Sequence, residues 1–161
     1  MFLRPGEIIQ HLRNKKYIFQ GMQGADFGCG TGYFTSLLAQ EVGSDGKIYA
    51  IDVDEAVIKE AQEFISQFGI KNVNFLCQNL EINCGLHDNI LDFVFISQVL
   101  YQSSEPYKIL AEAKRVLKNG GFLIILEPRK ENPLFKGQKV YDLEDIVDLL
   151  KKEDFRIIET E

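Results

Sequence analysis

Histidine and cysteine are scarce in this chain, and long apolar runs are missing. The longest unbroken apolar stretch is Phe122 to Leu126, far below the roughly 20 residues needed to cross a bilayer as a helix. The start, Met1-Phe2-Leu3-Arg4-Pro5-Gly6-Glu7, lacks the basic-then-apolar layout of a signal peptide. Three cysteines, Cys29, Cys77 and Cys84, form an odd set without a Cys-x-x-Cys pair, and read as reduced thiols. The two histidines, His11 and His87, stand at no ligand spacing from a cysteine, so no metal site is expected. Low-complexity runs, internal repeats and linkers are also missing. These absences point to a cytoplasmic protein with no membrane partner. A net charge of −6 argues against a nucleic-acid partner as well. Only the first sixteen residues lean basic, with Arg4, Arg13, Lys15 and Lys16 against Glu7, and they read as a solvated helix face.

With 161 residues and 45% apolar content, the chain is long enough for one domain with a proper core. That domain is expected to span residues 1–161, as an N-terminal helical segment (1–20) and a core (21–161). Within the core, short apolar runs alternate with helical patterns, the signature of an α/β fold whose mostly parallel sheet is covered on both faces. Strands are expected at 23–27, 47–52, 72–77, 91–97, 122–127 and 155–159. The fourth, Leu91 to Ser97, is nearly all apolar, as a central parallel strand should be. Helices are expected after Tyr33, from Val57 to a stop at Gly69, from Pro106 to a stop at Asn119-Gly120-Gly121, and from a cap at Asp142.

The most informative segment is Asp26-Phe27-Gly28-Cys29-Gly30-Thr31-Gly32, between the first strand and the first core helix. Glycines allow close backbone approach to a ligand, and free N–H groups at a helix start favour polar or anionic groups. Twenty positions after Gly32, Asp52 ends the second strand, where a carboxylate can accept both ribose hydroxyls of a nucleoside. A dinucleotide fingerprint needs Gly-x-Gly-x-x-Gly, but here the third glycine comes one residue early. Asp26 would repel a pyrophosphate and attract an ammonium, directly or through water. An ammonium at one end and adenosine at the other describe S-adenosylmethionine.

Asp-x-Gly-x-Gly-x-Gly followed by a strand-end acid resembles the class I S-adenosylmethionine-dependent methyltransferases. The run Glu112 to Gly121 resembles the family's link between a helix and strand five, so the likeness runs from about Gly21 to Glu161. Phe2 to Leu12 is similar to small bacterial and archaeal methyltransferases of unassigned substrate. The resemblance implies a three-layer Rossmann-like fold, with S-adenosylmethionine as methyl donor and S-adenosylhomocysteine as product. It implies a cofactor site of Asp26, Gly28, Cys29, Gly30, Gly32, Asp52, Val53, Asn79, Leu80 and Ser97. Val53 would offer an apolar face to adenine. Asn79 takes the place of the family's usual acid for the adenine amino group, and is equally an ordinary turn residue. The loop from Ser97 to Gln102 lines the family's methyl-transfer site, which makes Gln98 and Tyr101 candidates there, although Tyr101 also suits a packing role. Glu127 and Arg129, after strand five, could contact substrate or hold salt bridges. A small-molecule acceptor is expected, met by a monomer or homodimer, with the N-terminal segment and the Lys130 to Lys139 loop available as lids.

Methyl transfer is an in-line displacement whose main demand on the protein is alignment and water exclusion, so no fixed catalytic base is required. The family fold has a seventh, antiparallel strand between strands five and six. This sequence stops at strand six, so either it is a piece, or strand six pairs with strand five, or the open edge pairs with another chain. A non-catalytic cofactor-binding partner or regulatory subunit is the alternative function. An NAD(P)-dependent reductase of the short-chain type would need Tyr-x-x-x-Lys, but Glu105 and Asp145 stand four residues after Tyr101 and Tyr141.

Overall fold

Five apolar segments pair side by side into one all-parallel sheet in a computed structural model that describes residues 4–160. The strands are β1 (Gln23–Phe27), β2 (Lys47–Asp52), β3 (Val73–Cys77), β4 (Leu91–Ser97) and β5 (Leu117–Leu126), in the order β3-β2-β1-β4-β5. Register is regular, for instance Asp26 opposite Ala50 and Phe95. The helices are α1 (Pro5–Asn14), α2 (Tyr33–Val42), α3 (Glu55–Ser66), α4 (Pro106–Val116) and α5 (Leu143–Lys152). Strand order reverses between β1 and β4, which opens a crevice at their carboxyl ends.

Alternation along β4 divides the core into two layers. Val94 and Ile96 pack with Phe27, Leu100, Leu110 and Val116 on one face, while Phe93 and Phe95 pack with Ile9, Leu12, Leu38 and Val42 on the other. All four of these β4 side chains are fully buried. This explains why the strand reads as continuously apolar rather than alternating.

The helix signals act as expected. Asp142 and Asp145 exchange side-chain-to-backbone bonds of 2.9 and 3.1 Å at the start of α5, and Pro106 opens α4. The end of α4 differs from the expected stop at Asn119-Gly120-Gly121. The helix ends at Val116, because buried Leu117 already pairs with Leu91. The register then slips before Phe122 joins Phe93, so Lys118 to Gly121 bulge out of the strand.

The expected sixth strand is a larger correction. Residues 155–160 belong to no sheet, and β5 is an edge. Side chains hold the segment instead. Phe155 packs on the core beneath the Lys114 ammonium, 4.8 Å from its ring centroid. Glu159 accepts from the Tyr17 hydroxyl at 2.9 Å and pairs with His11 at 3.2 Å and Lys15 at 3.1 Å. Between this segment, α5 and β5 lies a recess of about 1440 Å³. The part of the N-terminal likeness on residues 1–3 lies outside the described residues.

One buried ionic anchor fastens α4 to the loop after β3. Glu112 accepts from Cys84 N–H at 2.7 Å and from two Arg115 nitrogens at 2.8 and 2.6 Å, and Arg115 reaches Asp88 at 2.6 Å. The Arg115 bonds chiefly pull the Glu112 pKa down to about 2, against the cost of burial. Its contribution is therefore complete above the ordinary glutamate pKa of about 4.3 and is lost as pH falls towards 2. Glu112→Gln should cost about 2–4 kcal/mol at pH 7 and much less at pH 2.5. Urea unfolding at the two pH values measures the difference.

Candidate cofactor site

The turn after β1 is built by backbone bonds to β2. Gly28 and Cys29 both donate to the Ile51 carbonyl, at 2.8 and 2.9 Å, and Gly30 donates to Asp52 Oδ2 at 3.0 Å. Asp52 Oδ1 accepts from Asp54 N–H at 3.2 Å. The carboxylate that ends β2 is thus fixed against the glycine turn. The glycines have different jobs. A Cβ on Gly28 would lie 2.3 Å from Val99 Cγ2, so Gly28 is needed for packing. A Cβ on Gly30 would meet nothing within 4 Å, and its φ is +53°. Open space above a left-handed glycine leaves room for a ligand. Gly32 precedes α2 without a side-chain cap, which leaves the helix's first N–H groups to other partners.

Asp26 lies beneath this turn with 1% exposure, accepting from Thr35 Oγ1 at 2.6 Å. Burial raises its pKa to about 7, with the Thr35 bond opposing and the charge of Asp52 adding to the rise. Buried Cys29 behaves alike, its thiol pushed far up by desolvation, so it offers backbone rather than a thiolate. Val53, beside Asp52, is 67% exposed, an apolar face turned to solvent.

The remaining expected site residues lie on neighbouring strand ends. Gln78 N–H donates to the Asp52 carbonyl at 2.9 Å, joining the end of β3 to that of β2. Asn79 Oδ1 accepts from Glu81 N–H at 2.9 Å and so shapes its own turn. Leu80 is a core side chain, packed in the same cluster as Cys84 and Leu91, so only its backbone is available to a ligand. Ser97 ends β4, and exposed Gln98 follows with a left-handed φ of 57°. Tyr101 meets the Phe135 ring edge-on at 5.4 Å, which ties the loop after β4 to the expected lid. Of the two readings of Tyr101, this contact is the packing one.

Of the two roles open to Glu127, the structure shows a structural one, with backbone amides in place of a salt bridge. Its carboxyl accepts from the N–H groups of Val99, Leu100 and Tyr101 at 2.9, 2.8 and 3.2 Å. Burial pushes its pKa up, opposed by these three bonds. Arg129 is exposed. A second carboxylate braces the far side of the same loop, since Glu81 accepts from Ser103 Oγ and from Glu105 N–H at 3.3 Å. The Ser103 bond holds Glu81 below its ordinary pKa. Sequence reading missed both braces, whose only signal is an acid just past a strand end.

Among the described residues no group of three or more His, Cys, Asp or Glu could hold a metal ion, and no helix is long and apolar enough to cross a membrane. The arrangement is a glycine turn with open space over Gly30, one carboxylate fixed at its edge, and a braced loop across the crevice.

A family model described as a methyltransferase domain matches residues 18–159. A demethylmenaquinone methyltransferase of Geobacillus stearothermophilus is 30% identical over 138 residues, covering 82% of this chain and 58% of that protein. A ubiquinone/menaquinone biosynthesis C-methyltransferase of Escherichia fergusonii is 34% identical over 125 residues, covering 76% and 49%. The chain therefore spans about half the length of the curated relatives it matches. The crystal structure of a SAM-dependent methyltransferase from Aquifex aeolicus superposes with a TM-score of 0.82 at 31% identity, covering 98% of this chain and 92% of that one. By motif, fold and relatives together, the chain belongs to the class I S-adenosylmethionine-dependent methyltransferases.

Proposed function

We propose that this chain binds S-adenosylmethionine over the glycine turn and transfers its methyl group to a small-molecule acceptor. The observation that carries this reading is the open space over Gly30 beside an Asp52 carboxylate already tied to the turn. In this reading the open space over Gly30 and the uncapped start of α2 receive the polar tail of the cofactor, and Asp52 accepts from the ribose. Val53, Asn79 and the Leu80 backbone flank the adenine, while Ser97 and the Gly28-Cys29 backbone close the near wall. Asp26 acts through the turn, since its carboxyl is covered. The cofactor supplies an electrophilic methyl carbon. The protein supplies alignment and dryness, with Gln98 and Tyr101 on the acceptor side.

A small acceptor is supported by the net charge of −6 and by relatives named for quinone precursors. Cytoplasmic residence and a single working unit over residues 1–161 complete the reading. Calorimetric titration with S-adenosylmethionine, S-adenosylhomocysteine and NAD, followed by label transfer to a panel including demethylated quinones and RNA, tests it. Tight NAD binding or labelled RNA would overturn it.

Three expectations follow from the geometry. Asp52→Ala should weaken S-adenosylhomocysteine binding by about 1.5–3 kcal/mol, the scale of hydrogen bonds to a charged group. Unchanged affinity would remove Asp52 from the site. Gly30→Val should abolish binding because its side chain enters the open space, and a β-branched residue at φ +53° should also lower the melting temperature of a protein that still unfolds cooperatively. Gly28→Val adds a clash with Val99 to the same backbone strain and should lose more stability.

The third concerns pH. With the Asp26 pKa at about 7 in the folded chain, an ammonium bound nearby favours its charged form, so binding releases a proton. Affinity should rise as pH climbs towards about 7 and level off above it, and the rise should vanish in Asp26→Asn. Without ligand the sign is opposite. The folded chain holds this proton more tightly than the unfolded chain, so the Asp26 contribution to stability falls as pH climbs from about 4 to 7. Titrations in buffers of different ionisation enthalpy count the released proton.

A further inference from the structure

The loop after β4 brings its first four amides to a single place, the carboxyl end of β5. Gln98 N–H donates to the Leu126 carbonyl at 2.7 Å. The next three, from Val99, Leu100 and Tyr101, donate to the two oxygens of Glu127. Gln98 is left-handed (φ 57°) and Val99 right-handed (φ −109°, ψ −42°), an alternation that turns successive amides toward one side and forms an anion-sized cup. The anion in this cup belongs to the protein itself.

The same loop touches both halves of the proposed reaction site. Val99 fills the space in which Gly28 lacks a side chain, and so presses on the cofactor turn. Two residues later, Tyr101 meets Phe135 of the loop that follows β5. A shift of this loop would therefore disturb the glycine turn and the acceptor side together. Packing holds the loop through the fully buried Leu100, with Val99 and Tyr101 partly packed on either side of it. It does not set the rotation of the amides on either side, whereas a carboxylate shared by three consecutive N–H groups does.

We infer that Glu127 is a positioning residue for methyl transfer, a fixed carboxylate that locks the Ser97–Gln102 loop with Val99 seated on Gly28. Its purpose rests on the methyltransferase reading proposed above; its geometry does not. Glu127 is thereby occupied as a scaffold and unavailable as a catalytic base.

The test uses the full chain as wild type, Glu127→Gln and Glu127→Ala. Amide hydrogen exchange is followed at Val99, Leu100 and Tyr101, with Phe93 to Ile96 as internal reference. S-adenosylhomocysteine affinity is measured on the same samples, with and without sodium formate. Both variants should exchange the three loop amides at least about tenfold faster while the β4 amides keep their protection. S-adenosylhomocysteine binding should weaken several-fold. Formate should restore both properties in Glu127→Ala, where the cup is vacated, and neither in Glu127→Gln, where an amide fills it.

Unchanged exchange in both variants would overturn the inference and assign the loop to Leu100 packing. Fast exchange that formate leaves untouched in Glu127→Ala would overturn it also, showing a general loss of packing. If Glu127→Ala does not fold, Glu127→Gln decides by its exchange alone. A wild-type chain that fails to bind S-adenosylhomocysteine would count against the cofactor reading, while the exchange data still decide the role of Glu127.

Discussion

Three backbone N–H groups, from Gly28, Cys29 and Gly30, bound to the last two residues of β2 are the constraint on which the site depends. They fold the chain back just after β1 and set the start of α2. They also bring the Asp52 carboxylate to the glycines rather than leaving it loose at a strand end. Since β1 pairs β4 on its other side, the same turn faces the loop that begins at Gln98. The glycine turn, the Asp52 carboxylate and the loop after β4 are thus brought together by one sheet register.

Carboxylates do most of the fastening in this acidic chain, and they do it on backbone amides. Asp52 holds Gly30 and Asp54, Glu81 holds Glu105, Glu112 holds Cys84, and Glu127 holds three residues in succession. A carboxylate is acceptor-only and has room for several N–H donors, so it suits loops whose amides have no strand to pair with. Environment then separates the group. Arg115 keeps Glu112 charged to low pH, whereas burial leaves Asp26 titrating near neutrality.

The β5 edge shows how an apolar sequence can stop short of sheet formation. Phe122 to Leu126 remain half-buried, and the strand-like segment after Phe155 lies across a recess from them. Its ends are tied down by Phe155 on the core and Glu159 on Tyr17 and α1. Those side-chain contacts hold the segment without any backbone ladder. Composition marked it as a strand because Ile157 and Ile158 favour extended backbone, and its backbone joins no strand.

What the sequence by itself determined was everything that repeats or is local. Apolar periodicity specified five strands and their helices, Pro106 and Asp142 specified helix starts, and the glycine spacing with Asp52 specified a strand-end turn with a carboxylate beside it. These signals act within a few residues, or through a fixed strand-helix-strand length, and so they survive in one dimension. Tertiary structure alone decided the rest. Leu117 left α4 for a partner in β4, Glu127 met the amides of Val99, Leu100 and Tyr101, Leu80 went into the core, and residues 155–160 joined no sheet. Each of these outcomes is a competition between partners far apart in the chain, settled by which group the folded backbone brings within hydrogen-bond reach, and no local propensity carries that distance.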